Sequence, residues 1–98
     1  MDETGYVSDG KLSLPAVVDL LQAGALKAKL EQGLASGSGM TIDGSAVQRI
    51  SSPCLQVLVA GIAAFAKAGG PSLTIINPSS ALRETASLLG LKDALGLS

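Results

Sequence analysis

The sequence predicts an α/β domain: a small, mainly parallel or mixed β-sheet carrying about three to four helices, with residues 1–98 forming one unit. Three observations point there. Apolar runs of strand length alternate along the chain with longer segments whose apolar residues recur at helical spacing. The segments between successive strands are long enough for crossover helices, which makes the sheet mainly parallel and its crossovers right-handed. The run Leu73–Ile76 is β-branched and apolar, as an interior parallel strand would be.

Each element has a local reason. Residues 1–10 (MDETGYVSDG) are polar and turn-rich, either a frayed end or a weak edge strand. Lys11 to Leu14 alternates polar and apolar, and Pro15 confines that strand to an edge or an end. Asp19 can cap the next helix, whose inward stripe is Ala23, Leu26, Leu30 and Leu34. Leu21 falls off this stripe, and packing gives no account of it. The helix ends in the flexible Ser36-Gly37-Ser38-Gly39 break. A strand at Met40–Ile42 leads into the turn Asp43-Gly44-Ser45, and Val47 and Ile50 tuck under the sheet edge. In Ser51-Ser52-Pro53, Ser52 reads as the cap and Pro53 as the first residue of a helix running to about Ala68. Leu55, Leu58, Ile62 and Phe65 face inward, and Gly69-Gly70 stops the helix. After Leu73–Ile76, Asn77-Pro78-Ser79-Ser80 starts a last helix with Leu82, Ala86 and Leu89 inward. Gly90 ends it, and Leu91, Ala94 and Leu95 form one more covering turn.

Composition excludes several functions. A net charge of −1, with only Tyr6 and Phe65 aromatic, leaves no basic field for phosphate backbones and no platform for bases. The chain lacks histidine, which removes imidazole acid–base chemistry, His-dependent triads and His metal sites. Cys54 is the lone cysteine, and its default role is a small packed residue. Neither glycine cluster has phosphate-loop spacing. No catalytic residue, cofactor or metal site is expected. The apolar run Val57–Ala66 is too short to span a bilayer, and the acidic start Met1-Asp2-Glu3 lacks a signal core, so a cytoplasmic chain is expected.

The stretch TIDGSAVQRISSPCLQVLVAGIAAFAKAGG, Thr41 to Gly70, resembles the core of a STAS domain, the fold of bacterial anti-sigma factor antagonists and of sulfate-transporter tails. In that family an aspartate closes a central strand, and a loop leads to an Asp-Ser-Ser-Gly-Leu helix start whose first serine is phosphorylated. Setting Leu55 on the family's leucine places Ser52 on the phospho-acceptor and Ser51 on the aspartate. Pro53 then stands for the second serine and Cys54 for the glycine, while Asp43 matches the strand-ending aspartate. The resemblance covers roughly residues 11–97 and implies a STAS-like fold and a non-enzymatic regulatory module. Its implied partner is a serine kinase and anti-sigma factor with a histidine-kinase-like ATP-binding fold, released when Ser52, or alternatively Ser51, is phosphorylated.

The residues keep other readings open. Ser52 has the bland role of a helix cap, and Asp43 that of a turn residue whose carboxylate accepts loop amides. The 53–68 helix is unusual in its remaining positions: Gln56, Val59, Ala60, Gly61, Ala63, Ala64 and Lys67 carry no charge before Lys67. Either this face is buried within the domain, or it docks a partner; a domain of this size favours docking. The expected partner-binding set is therefore Asp43, Ser51, Ser52, Gln56, Ala60 and Ala64. Two alternatives stand beside the phospho-switch. One is a stand-alone STAS subunit of a chemotaxis complex or ABC transporter that is never phosphorylated. The other is a small-molecule or nucleotide-binding module.

Overall fold

The computed structural model describes residues 7–8, 11–37, 39–70 and 72–97. Alternation of polar and apolar residues sets the sheet. Strands β1 (Val7–Ser8), β2 (Lys11–Ser13), β4 (Met40–Asp43) and β6 (Leu73–Ile76) form a four-stranded sheet in the order β1-β2-β4-β6. β1 runs antiparallel to β2, and the other pairs are parallel. Leu12, Ile42 and Ile75 lie abreast, with Met40 beside Leu73 in the adjacent row, and all five are buried. The opposite face carries Lys11, Ser13, Thr41, Asp43, Thr74 and Ile76, none of them buried. Thus β6 is the outer strand of this order, not an interior one. Its alternating burial, with Thr74 exposed, follows from having helices on one face only. A second, two-stranded parallel pair joins β3 (Val17–Val18) to β5 (Arg49–Ile50), elements too short to show a period in the sequence. Within residues 1–10, read as a frayed end or a weak edge strand, Val7–Ser8 pairs with β2; the rest of that segment lies outside the described residues.

Helix α1 (Ala23–Ser36) follows a 3-10 turn at Leu20–Gln22 that Asp19 caps. Leu26 and Leu30 are buried, with Ala23 and Leu34 packed against the core, so the expected stripe holds. Helix α2 (Ser52–Ala68) buries Cys54, Leu55, Leu58 and Phe65 and ends at Gly69 in the left-handed conformation, φ 75. α1 and α2 cross closely because Gly61 has no side chain: a Cβ there would sit 2.8 Å from Leu30 Cδ1 and 3.1 Å from Leu73 Cδ2. Helix α3 (Ser80–Leu88) buries Leu82 and Ala86. Leu89, expected inward, is 43% exposed, because the helix ends at Leu88 and Leu89 is its cap. The last turn buries Leu95 and also Leu97, while Ala94 is exposed. Among the described residues no helix is long and apolar enough to cross a membrane.

Candidate functional site

The start of α2 is fixed by its first few residues. Ser51 is extended (φ −81, ψ 156), and its Oγ accepts the Cys54 amide at 3.4 Å. Its carbonyl accepts the Leu55 amide at 3.1 Å. The cap is therefore Ser51 rather than Ser52, and the expected boundary moves by one residue. Ser52 is the first helical residue and Pro53 the second, which costs little because proline's missing N–H falls among the unpaired amides of a first turn. Ser52 is exposed, and its hydroxyl makes no hydrogen bond among the described residues.

Two further bonds tie this helix start to the chain before α1. The Ser51 amide donates to the Val18 carbonyl at 2.9 Å. The buried Cys54 thiol donates to the Asp19 carbonyl at 3.0 Å. Asp19 in turn forms a capping box: its carboxylate accepts the Leu21 amide at 3.1 Å, and its own amide donates to Gln22 Oε1 at 3.0 Å. The amides of Gln48 and Arg49 both donate to the Ala16 carbonyl, at 2.7 and 3.0 Å. On the other side, Ser79 caps α3 and donates its hydroxyl to the Val47 carbonyl at 2.6 Å. The loop before α2 is thus held by main-chain and hydroxyl bonds along its length. This is the local order a surface hydroxyl needs to be met in one place.

On the helix surface, Ser52, Gln56, Ala60, Ala63 and Lys67 follow one another at helical spacing and all are exposed. The uncharged face is thus open to solvent, and the alternative of burial within the domain is excluded for these positions. Val59, Gly61 and Ala64 turn partly inward. Gln56 and Ala60 also border a groove of about 320 Å³ between α1 and α2, with Leu30, Leu34 and Val57 in its wall. A second, more polar hollow of about 300 Å³ lies beside Ser51, lined by Val17, Asp19, Gln48, Arg49 and Thr85.

Asp43 is held by contacts of its own, with Ser45 and Lys11. It sits on the outer face of the sheet, where its Oδ1 accepts the Ser45 amide at 2.9 Å and its Oδ2 pairs with Lys11 Nζ at 3.5 Å. The Ser45 main-chain bond, aided by the Ser45 side chain and Lys11, holds its carboxyl below the usual range. Of the six expected partner-binding residues, the structure sets Ser52, Gln56 and Ala60 in one exposed row, makes Ser51 the half-buried cap before it, half-buries Ala64 and pairs Asp43 with Lys11 on the outer face of the sheet. The sequence reading also missed Val17, Leu20 and Leu21, three exposed apolar residues beside the helix start. The signal was present, since Leu21 had no place on the α1 stripe. Among the described residues no group of three or more Cys, Asp or Glu is placed to hold a metal ion.

A mixed sheet with helices on one face, and a serine exposed at the start of the helix after its central strand, define a STAS-type module. A family model described as "Mlab, STAS domain" matches residues 3–97, and the chain belongs to the STAS domain family. Solved structures with a similar fold include the following three. One is an anti-sigma factor antagonist from Mycobacterium paratuberculosis, with TM-score 0.70, 26% identity, and coverage of 94% of this chain and 80% of that one. Another is a putative anti-sigma factor antagonist from Thermotoga maritima, with TM-score 0.69, 19% identity, and coverage of 90% and 78%. The third is the phosphorylated form of the Bacillus cell fate determinant SpoIIAA, with TM-score 0.67, 15% identity, and coverage of 90% and 82%. Among curated proteins none matches this chain.

Proposed function

We propose that this chain is a non-enzymatic regulatory module that binds a protein partner through the start of α2 and is released by phosphorylation of Ser52. The observation that carries the proposal is the division of labour between two serines. Ser51 caps the helix, while the Ser52 hydroxyl is exposed and makes no hydrogen bond among the described residues. Its acceptor role follows from its alignment with the family's phosphorylated serine. The implied partner is a serine kinase with a histidine-kinase-like ATP-binding fold. It would pass the γ-phosphoryl of ATP to Ser52 Oγ, releasing ADP and the hydroxyl proton.

The local chemistry suits a phosphate that points outward. A phosphoserine carries about −1.5 to −2 charges, and the helix dipole favours that charge by about 0.3–1 kcal/mol. Few amides remain to hold it, however. Pro53 has no N–H, and those of Cys54 and Leu55 are bonded to Ser51. The phosphate is therefore presented to a partner rather than folded into the helix start. A partner surface shaped for a neutral hydroxyl then meets an unpaired charge.

The test is a titration of the kinase with wild-type, Ser52→Ala and Ser52→Asp proteins, with mass spectrometry of Ser51 and Ser52. Binding that weakens about tenfold or more for Ser52→Asp, at unchanged melting temperature, supports the switch. Unchanged affinity, with neither serine phosphorylated in cells, leaves a STAS subunit that docks without a switch. That second reading is favoured by the first turn of α2, which has no acidic residue and carries Ser51 where the family has aspartate.

A further inference from the structure

Three of the five exposed large apolar side chains among the described residues fall within five positions: Val17 at 41%, Leu20 at 65% and Leu21 at 92% exposure. Isolated exposed leucines are ordinary, but these are clustered and held. β3 pairs with β5, the Asp19 capping box fixes the turn, and the Cys54 thiol and Ser51 amide bind that turn to the start of α2. Apolar side chains on a backbone already ordered lose little entropy on binding, which is the property of an interface anchor. Beside them lies the hollow that Ser51 shares with Arg49. Arg49 is exposed, and no carboxylate among the described residues pairs with it.

We infer that Val17, Leu20 and Leu21 form the apolar anchor, and Arg49 the charge contact, for the kinase that acts on Ser52. This rests on the switch proposed above and extends it to the chemistry of the partner. The fitting surface is an apolar recess bordered by a carboxylate. A second copy of this chain is the competing occupant, since the exposed Asp19 of one copy could meet Arg49 of the other, and sedimentation velocity separates the two. A carboxylate seated on Arg49 also gives the switch its sign. A phosphate on Ser52, the residue after Ser51, adds negative charge beside that carboxylate and drives the partner off.

The test uses the full chain and, as probes, the purified serine kinases of histidine-kinase-like ATP-binding fold encoded in the same genome. Affinity is measured by calorimetry with ADP, and Ser52 phosphate by mass spectrometry, for wild type, Leu21→Gln, the Leu20→Gln/Leu21→Gln pair and Arg49→Glu. The leucine positions are exposed, so the variants should keep the wild-type melting temperature. The expected result is a loss of about tenfold or more in affinity for the leucine pair and for Arg49→Glu. Wild-type affinity in both, with a kinase that still binds and is sensitive to Ser52→Asp, overturns the anchor and leaves the switch standing. No kinase binding or modifying the wild-type chain overturns both. Sedimentation velocity adds one more arm: a wild-type dimer that the leucine pair converts to monomer assigns the ridge to self-association and overturns the anchor.

Discussion

The thiol of Cys54, one turn into α2, donates to the main-chain carbonyl of Asp19, 35 residues earlier, across 3.0 Å. The cysteine is fully buried. It acts as a fastener between the turn before α1 and the start of α2. Cys54→Ala removes the donor and opens a small void, and an unfolding titration in urea should show a loss of about 1–3 kcal/mol. Partner binding by the folded variant should remain close to wild type. A large loss of function in a stably folded Cys54→Ala protein would contradict the packing role.

The two serines at the helix start should separate in stability. Ser51→Ala removes the cap and should cost about 1 kcal/mol, within the usual range of roughly 0.5–2. Ser52→Ala removes an exposed hydroxyl with no hydrogen bond among the described residues and should stay within about 0.5 kcal/mol. Equal losses for the two variants, by thermal or urea unfolding, would mean that the cap is shared.

Gly61 sets two effects against each other. Alanine is the better helix former by about 1 kcal/mol. The added methyl, however, meets Leu30 at 2.8 Å and Leu73 at 3.1 Å. Overpacking of this kind typically costs about 1–3 kcal/mol, so Gly61→Ala should destabilise on balance. A rise in melting temperature would show that Leu30 yields easily.

The exposed flank of α2 should tolerate charge. Ala60→Glu and Ala63→Glu place carboxylates where solvent reaches them, and their stability should change by less than about 0.5 kcal/mol. Ala64→Glu places one where the helix turns inward, and the loss should be larger. Circular dichroism melts rank the three. If Ala60→Glu folds normally and also fails to bind the kinase, the flank belongs to the docking surface.

Asp43 gives a pH dependence of defined sign. Its folded-state carboxyl is held below the usual 3.8, so ionised Asp43 contributes stability above the unfolded value. That contribution is fully present near neutrality and is lost as pH falls below 3.8 through the depressed folded value. Asp43→Asn should therefore narrow the stability difference between pH 6 and pH 3. An unchanged difference would assign the acid sensitivity to other carboxylates.

The sheet and its three crossing helices were legible because their periods are long enough to read. Leu26, Leu30, Leu55, Leu58, Leu73 and Leu82 all lie where helical or alternating spacing puts them. Pairs of residues have no period, which is why β3 and β5 were not visible. The cap at Ser51 was missed because two adjacent serines before a proline satisfy the same rule, and only the extended backbone of Ser51 decides between them. The sequence groups Asp43 with the helix start through its match to the family's strand-ending aspartate. Alternation along β4 turns its carboxylate to the opposite face, toward Lys11. Leu21 reads as a misfit because spacing marks what packs inward and says nothing of what is held outward.

The outer position of β6 has a consequence for solubility. A free strand of Leu-Thr-Ile-Ile is rich in the residues that recruit strands from other molecules, and its outer edge is unpaired among the described strands. The chain limits that hazard by brevity. After four residues Asn77 turns left-handed, φ 49, and Pro78 follows with no amide to offer. A template of this length holds an incoming strand by only a few hydrogen bonds, too few to seed a fibril. Lengthening the strand by replacing Asn77 and Pro78 with β-branched residues would remove the stop and leave the most β-prone segment of the protein open to polymerisation.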